Sequence, residues 1–375
     1  MTPLEDAAVE DADAEDTDGD ELAVAGVADA ALAEWLAELR RDPGPSSEEL
    51  GVESLRRSSQ DRAAARPRGP DLARVQDVTI DDVLRGRLYR TSPEPRPLVL
   101  FTHGGGFVLG DLNSHDRVCR RLAARCDAAV LAVDYRRAPE FPEPAAVDDA
   151  VRSFGWAISH REELGADPRV GIALAGDSSG AAIAALAAIR LRDSGGPGAS
   201  ALLLVNPHTD MTLSQPSMDE KGEGWGLDAA EMGWFVEQWV PDPGRRADPQ
   251  VSPLYADLAG LPPTVVATAE HDPLRDDGEE FALRLMISGV TFEHCRLRGM
   301  VHGFMNLDDV SPAAARAGDD VLQRFARLLP RGWDGFRSPI ATGGMPAQAP
   351  KRSVISVRSP GTTSAAKDVR NRDWS

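Results

Sequence analysis

Residues 170–192 read VGIALAGDSSGAAIAALAAIRLR. An apolar run from Val170 to Ala175 stops at Gly176-Asp177-Ser178-Ser179-Gly180, and an alanine-rich stretch with helical spacing follows. A G-x-S-x-G motif set between a strand and a helix marks a sharp turn that exposes its serine. Small residues are needed two positions to either side because the turn crowds them against neighbouring backbone. Of the two adjacent serines only Ser178 has glycine at both places. The turn lifts the Ser178 Oγ clear of the sheet, and the helix N-terminus beneath it favours negative charge developing there. Ser178 is the candidate nucleophile.

A serine hydroxyl is a weak nucleophile at neutral pH and needs a base, which in turn needs an orienting acid. In strand-turn-helix hydrolases the chain order is serine, then Asp or Glu, then His. Downstream of Ser178 stand His208, His271, His294 and His302. His294 falls inside the strand-like stretch Thr291 to Leu297, and His208 precedes an aromatic-rich insertion. His302 sits in RGMVHGF, a glycine-flanked loop just after that stretch, from which a side chain can swing over the sheet's C-terminal edge. It is the expected base. Asp272, in AEHDPL, closely follows the strand-like Thr264 to Ala269, whereas Asp276 and Asp277 already lead into the next helix. Asp272 is the expected acid.

A second glycine-rich stretch supports the same chemistry. Phe101 to Leu112 reads FTHGGGFVLGDL, three consecutive glycines behind a histidine at the end of the apolar run Leu98 to Phe101. Glycines in series cost backbone entropy and add no packing, so they mark a tight turn or a place where backbone approaches something closely. Attack on an ester carbonyl places negative charge on its oxygen, and one preorganised N–H donor is worth about 3 kcal/mol there. Gly104 and Gly105 are expected to bring two donors, and the N–H of Ser179 a third. His103 is expected to shape the loop through its own hydrogen bonds, with Gly106 and Asp177 as supporting residues of the two motifs.

Around these motifs short apolar runs alternate with helical patterns. Strands are expected at 98–101, 129–133, 170–175, 201–205, 264–269 and 291–297, and helices at 117–125, 145–159, 180–192, 279–287 and 313–329. That rhythm reads as a mostly parallel α/β sheet covered on both faces. Two segments break it: residues 31–65, with two helix-like pieces joined by DPGPSS, and residues 211–240, which hold Trp225, Trp234, Phe235 and Trp239 in a chain poor in aromatics. Both are expected to cover the end of the sheet. Residues 1–30, with EDADAEDTDGDE and no basic residue, and residues 335–375, rich in Pro, Gly and Ser, are expected to be disordered tails.

The chain has 375 residues, enough for one large α/β domain or two smaller ones, and a formal net charge of -19 that argues against nucleic acid or an anionic membrane as partner. Cys119, Cys126 and Cys295 show no metal-ligand spacing and read as reduced, largely core thiols. No signal peptide or membrane span is visible, so a soluble, cytoplasmic protein is expected. A serine, histidine and aspartate acting together are expected to need neither cofactor nor metal.

Taken together, HGGG, GDSSG, HDPLRDDG and GMVHGF resemble the hormone-sensitive-lipase family of α/β-hydrolases, the bacterial esterases. DYRRAPEFPEPAAVDDAV (134–151) is similar to the family's DYRLAPE stretch, and SPLYADLAGLPPTVV (252–266) to its SPL and LPP segment. The resemblance runs from about Glu34 to Leu329. It implies an α/β-hydrolase fold with an eight-stranded sheet and a helical cap, built from residues 31–95, which also hold the first strands, and from an insertion at about 211–247 within a catalytic domain over 96–334. It also implies an ester substrate with a short acyl chain and leaves a homodimer open. Arg137 stands where the family has leucine, and Ala181 and Ala182 where it has glycine and asparagine. Two other readings stay open on the same fold: a small-molecule receptor, which would go with loss of the histidine, and a lactone-opening or lyase enzyme using the same glycine loop.

Overall fold

The computed structural model describes residues 26–329. The expected tails lie outside these residues, except that residues 26–30, counted with the first tail, are built into the fold. Asp29 accepts the Leu32 N–H and so caps the first helix, and its other carboxylate oxygen accepts from the Ser311 hydroxyl and the Ala313 N–H.

Among the described residues the sheet has eight strands: β1 (Arg74–Thr79), β2 (Arg85–Arg90), β3 (Leu98–Thr102), β4 (Ala129–Asp134), β5 (Ala173–Asp177), β6 (Leu202–Val205), β7 (Thr264–His271) and β8 (Phe292–Val301). Their order across the sheet is β1-β2-β4-β3-β5-β6-β7-β8. β1 and β2 pair antiparallel, as do β2 and β4, and the remaining pairs are parallel. The central parallel strands β3, β4 and β6 are almost wholly apolar because both faces are covered, whereas β8 at the edge carries Glu293, His294, Arg296 and Arg298. Leu98, Leu100, Leu131, Leu174 and Leu204 point into one core, under α4 (Ala145–Ser159), α6 (Ser179–Asp193) and α9 (Arg275–Ile287). Their neighbours Val99, Phe101, Val130, Ala175 and Val205 point into the other, under α3 (Asp116–Cys126) and α10 (Pro312–Leu328). α5 (Arg161–Leu164) is a single turn after α4.

The two segments outside the rhythm are helical. α1 (Ala30–Arg41) and α2 (Ser47–Ala65) precede the sheet, and α7 (Pro216–Glu220) and α8 (Ala229–Trp239) lie between β6 and β7. Ser46 and Glu49 form a reciprocal capping box that starts α2. The two cap pieces are joined: Ser47 Oγ donates to Glu231 at 2.9 Å, and Arg40 Nε donates to the Gly224 carbonyl at 2.8 Å. Trp225 stacks on His271 with centroids 4.0 Å apart, which fastens the insertion to the end of β7. No helix among the described residues is long and apolar enough to cross a membrane.

Candidate active site

The C-terminal ends of β3, β5, β7 and β8 converge on one place. β5 ends at Asp177 and α6 begins at Ser179, so Ser178 alone makes the turn, at φ 54° and ψ -124°. A non-glycine residue held there is strained by on the order of 1–3 kcal/mol and stays only because its surroundings fix it. The flanking glycines are dictated by contact. A Cβ at Gly176 would collide with the Gly180 carbonyl, and one at Gly180 with the carbonyls of Thr102 and His103.

His302 follows the last residue of β8, and Asp272 the last residue of β7. His302 Nε2 lies 3.0 Å from Ser178 Oγ, and His302 Nδ1 lies 2.9 Å and 3.1 Å from the two Asp272 oxygens. With Nδ1–H donating to the carboxylate, Nε2 is left to accept from the serine hydroxyl. Burial disfavours the imidazolium, but the attraction of Asp272, helped by Asp177 and Glu231, outweighs it and raises the His302 pKa above its ordinary value. Asp272 is fully buried and accepts from the Leu274 N–H at 2.8 Å and from Asn206 Nδ2 at 2.7 Å.

The other downstream histidines and aspartates are engaged elsewhere. His294 faces Thr268 Oγ1 at 3.0 Å, His271 lies against Trp225, and His208 is buried near the Phe107 ring, its pKa pushed down to about 4 by burial. Asp276 accepts the Ser217 N–H, and Asp277 the N–H groups of Thr209 and Asp210.

The glycine loop departs from the expectation at one residue. The Gly104 N–H donates to Asp177 Oδ1 at 3.1 Å, so it is not available to a substrate oxygen. Among the described residues the N–H groups of Gly105, Gly106 and Ser179 have no protein acceptor. Gly105 and Gly106 have φ of 121° and 60°, and Phe235 packs against Gly106 so closely that a Cβ there would strike its ring. Of the HGGG glycine amides, those without a protein acceptor among the described residues are thus Gly105 and Gly106, one residue on from the expected Gly104 and Gly105. His103 donates from Nδ1 to the Gly104 carbonyl at 2.9 Å and stacks on Tyr135 at 4.2 Å, and burial pushes its pKa down to about 3, which keeps it neutral. Arg137 donates to the Gly110 carbonyl and stands 4.0 Å from Asp134.

Two residues of the site had no reading in the sequence. Asn206 sits at φ 45° just past β6 and its N–H donates to the Ala267 carbonyl at 2.7 Å, which aims its amide at Asp272. Its only local sign is an Asn-Pro pair after an apolar strand. His115, at the start of α3, places Nε2 3.2 Å from Asp177 Oδ2. Among the described residues no group of three or more His, Cys, Asp or Glu is arranged to hold a metal ion.

A family model described as the alpha/beta hydrolase fold matches residues 99–306. Carboxylesterase NlhH of Mycobacterium tuberculosis is 43% identical over 237 residues, covering 62% of this chain and 74% of that protein. Carboxylic ester hydrolase LipN of the same organism is 40% identical over 242 residues, 63% of this chain and 64% of LipN, so the match spans just under two thirds of LipN. The crystal structure of EstE1, a thermostable carboxylesterase from a metagenomic library, superposes with a TM-score of 0.71 at 38% identity, covering 75% of this chain and 98% of that one.

Proposed function

The chain belongs to the alpha/beta hydrolase fold family, and from that premise we propose that it is a serine carboxylic-ester hydrolase of short-chain acyl esters working through an acyl-enzyme. The observation that carries the proposal is the single line of hydrogen bonds from Ser178 Oγ through His302 to Asp272, at 3.0 Å and 2.9 Å. Ser178 Oγ attacks the ester carbonyl carbon while its proton passes to His302 Nε2. The carbonyl oxygen, now negative, is met by the N–H groups of Gly105, Gly106 and Ser179. The intermediate collapses, the C–O bond to the alcohol breaks, and His302 returns the proton to the departing oxygen. Water then attacks the acyl group on Ser178 by the same route and releases the acid. Asp272 holds the imidazole tautomer and stabilises its charged form.

The short acyl chain is supported by the bulk gathered at the loop, where Trp239 stacks on Phe107 at 3.7 Å and Phe235 lies on Gly106. A panel of p-nitrophenyl esters from acetate to octanoate, run with wild type and Ser178→Ala, tests the proposal. Turnover of the short esters that is lost in the variant is expected. Stoichiometric binding without turnover would favour a receptor, and an elimination product would favour a lyase.

A further inference from the structure

Arg56 lies on α2, in the N-terminal cap, yet its guanidinium reaches the glycine loop. Its Nε donates to the Val108 carbonyl at 2.9 Å and its Nη2 to the Ala138 carbonyl at 2.8 Å. Its two Nη atoms also grip Glu140 at 2.7 Å and 2.8 Å. A planar fork of fixed donors suits such a set, and a lysine ammonium cannot reproduce it.

The two carbonyls belong to residues that close the turn carrying Gly105 and Gly106. Val108 and Leu109 donate their N–H groups to the Gly105 carbonyl at 3.1 Å and 2.7 Å, and Ala138 donates to the Phe107 carbonyl at 3.0 Å. Two consecutive glycines at positive φ have little preference of their own for this shape, so it must be imposed from outside. Asp177 holds one side of the loop through Gly104, and Arg56 holds the other through Val108 and Ala138.

We infer that Arg56 is a positioning residue: with α2 seated, it fixes the Gly105–Gly106 turn, so that the cap contributes to transition-state stabilisation as well as enclosing substrate. The inference rests on the ester-hydrolase reading. A residue that merely glued the cap down would, when changed, loosen substrate binding or lower stability. A residue that positions the oxyanion donors lowers kcat, because those donors act mainly in the transition state.

The test compares wild type, Arg56→Lys, Arg56→Ala and Ser178→Ala on p-nitrophenyl acetate, with amide hydrogen exchange followed over the peptide spanning 101–112. In both Arg56 variants kcat is expected to fall about 10- to 100-fold. KM should stay within about threefold and exchange in the loop should quicken. Guanidinium ion, well below denaturing concentrations, should recover several-fold of the lost kcat in Arg56→Ala where sodium chloride at equal ionic strength does not. Wild-type kcat in Arg56→Lys, a change confined to KM, or a lower melting temperature with kcat intact would overturn the inference. Arg56→Lys keeps the charge opposite Glu140 and carries the test if Arg56→Ala does not fold. An inactive wild type would sink the ester-hydrolase reading instead, and unchanged loop exchange in Arg56→Lys would then still overturn the positioning role.

Discussion

Asp177 Oδ1 accepts the Gly104 N–H at 3.1 Å, while Oδ2 of the same carboxylate lies 3.2 Å from His115 Nε2. The residue before the candidate nucleophile thus ties the glycine loop to the elbow. Asp177 is buried, and although burial alone would raise its pKa, His115 and the Gly104 N–H outweigh it and hold the carboxyl low. Asp177→Ala leaves the Gly104 N–H and His115 Nε2 without their acceptor, so a stability loss of about 3 kcal/mol is expected. A fall in kcat beyond that of a distant core substitution should accompany it. Urea titration and ester kinetics on this variant check both, and unchanged kcat would show that the tie is only structural.

The pH dependence follows from His302. The base must be neutral to accept the serine proton, and its pKa is raised above its ordinary value near 6.5. Activity, followed as kcat/KM, should therefore rise with pH through a value above 6.5. Asp272→Asn removes the attraction while burial persists. The acid limb should then move to lower pH, and kcat should drop by about 10⁴-fold. A limb that stays in place would mean that another group controls it.

Much of this arrangement was legible in the sequence because its parts are local. The elbow is a contiguous strand, turn and helix, and Ser178, Asp272 and His302 each sit one residue past a strand end, where an apolar run stops. What escaped depends on contacts between distant segments. Nothing within HGGG says which of three glycine amides is taken, because the acceptor, Asp177, lies 73 positions away. Asn206 and Arg56 escaped for the same reason. β1 and β2, with RVQDVT and RGRLYR, have too few apolar residues to read as strands by pattern; they lie toward the antiparallel edge, where strands are partly exposed.

Asp29 joins the start of α1 to the start of α10. Burial alone would raise its pKa, but the N–H groups of Leu32 and Ala313 and the Ser311 hydroxyl outweigh that and lower it. Asp29→Ala should cost about 1–2 kcal/mol, as for loss of a helix cap. A carboxyl with a depressed folded pKa stabilises above its unfolded value, near 3.8, and that contribution fades as pH falls through the folded value. The gap between wild type and Asp29→Ala in thermal melts should accordingly close in acid. Truncation after residue 29 should resemble Asp29→Ala, and truncation before Gly26 should not.

The cap aromatics separate into two groups. Trp239 is stacked on Phe107 beside the loop, with ring planes 5° apart, whereas Trp225 is stacked on His271 at the cap's attachment. Trp239→Phe should raise octanoate hydrolysis relative to butyrate, by trading a large side chain for a smaller one near the site. Trp225→Ala should lower the melting temperature and leave that ratio alone. Equal acyl-length profiles in wild type and both variants would remove the specificity role from this insertion.

The most direct test of the central claim is acid-quenched mass spectrometry of the enzyme mixed with excess p-nitrophenyl acetate. One acetyl group is expected on the peptide that contains Ser178, forming as fast as the p-nitrophenol burst and absent from Ser178→Ala. An acetyl group on Ser179 or elsewhere that forms at the burst rate, or a burst that survives in Ser178→Ala, would contradict it.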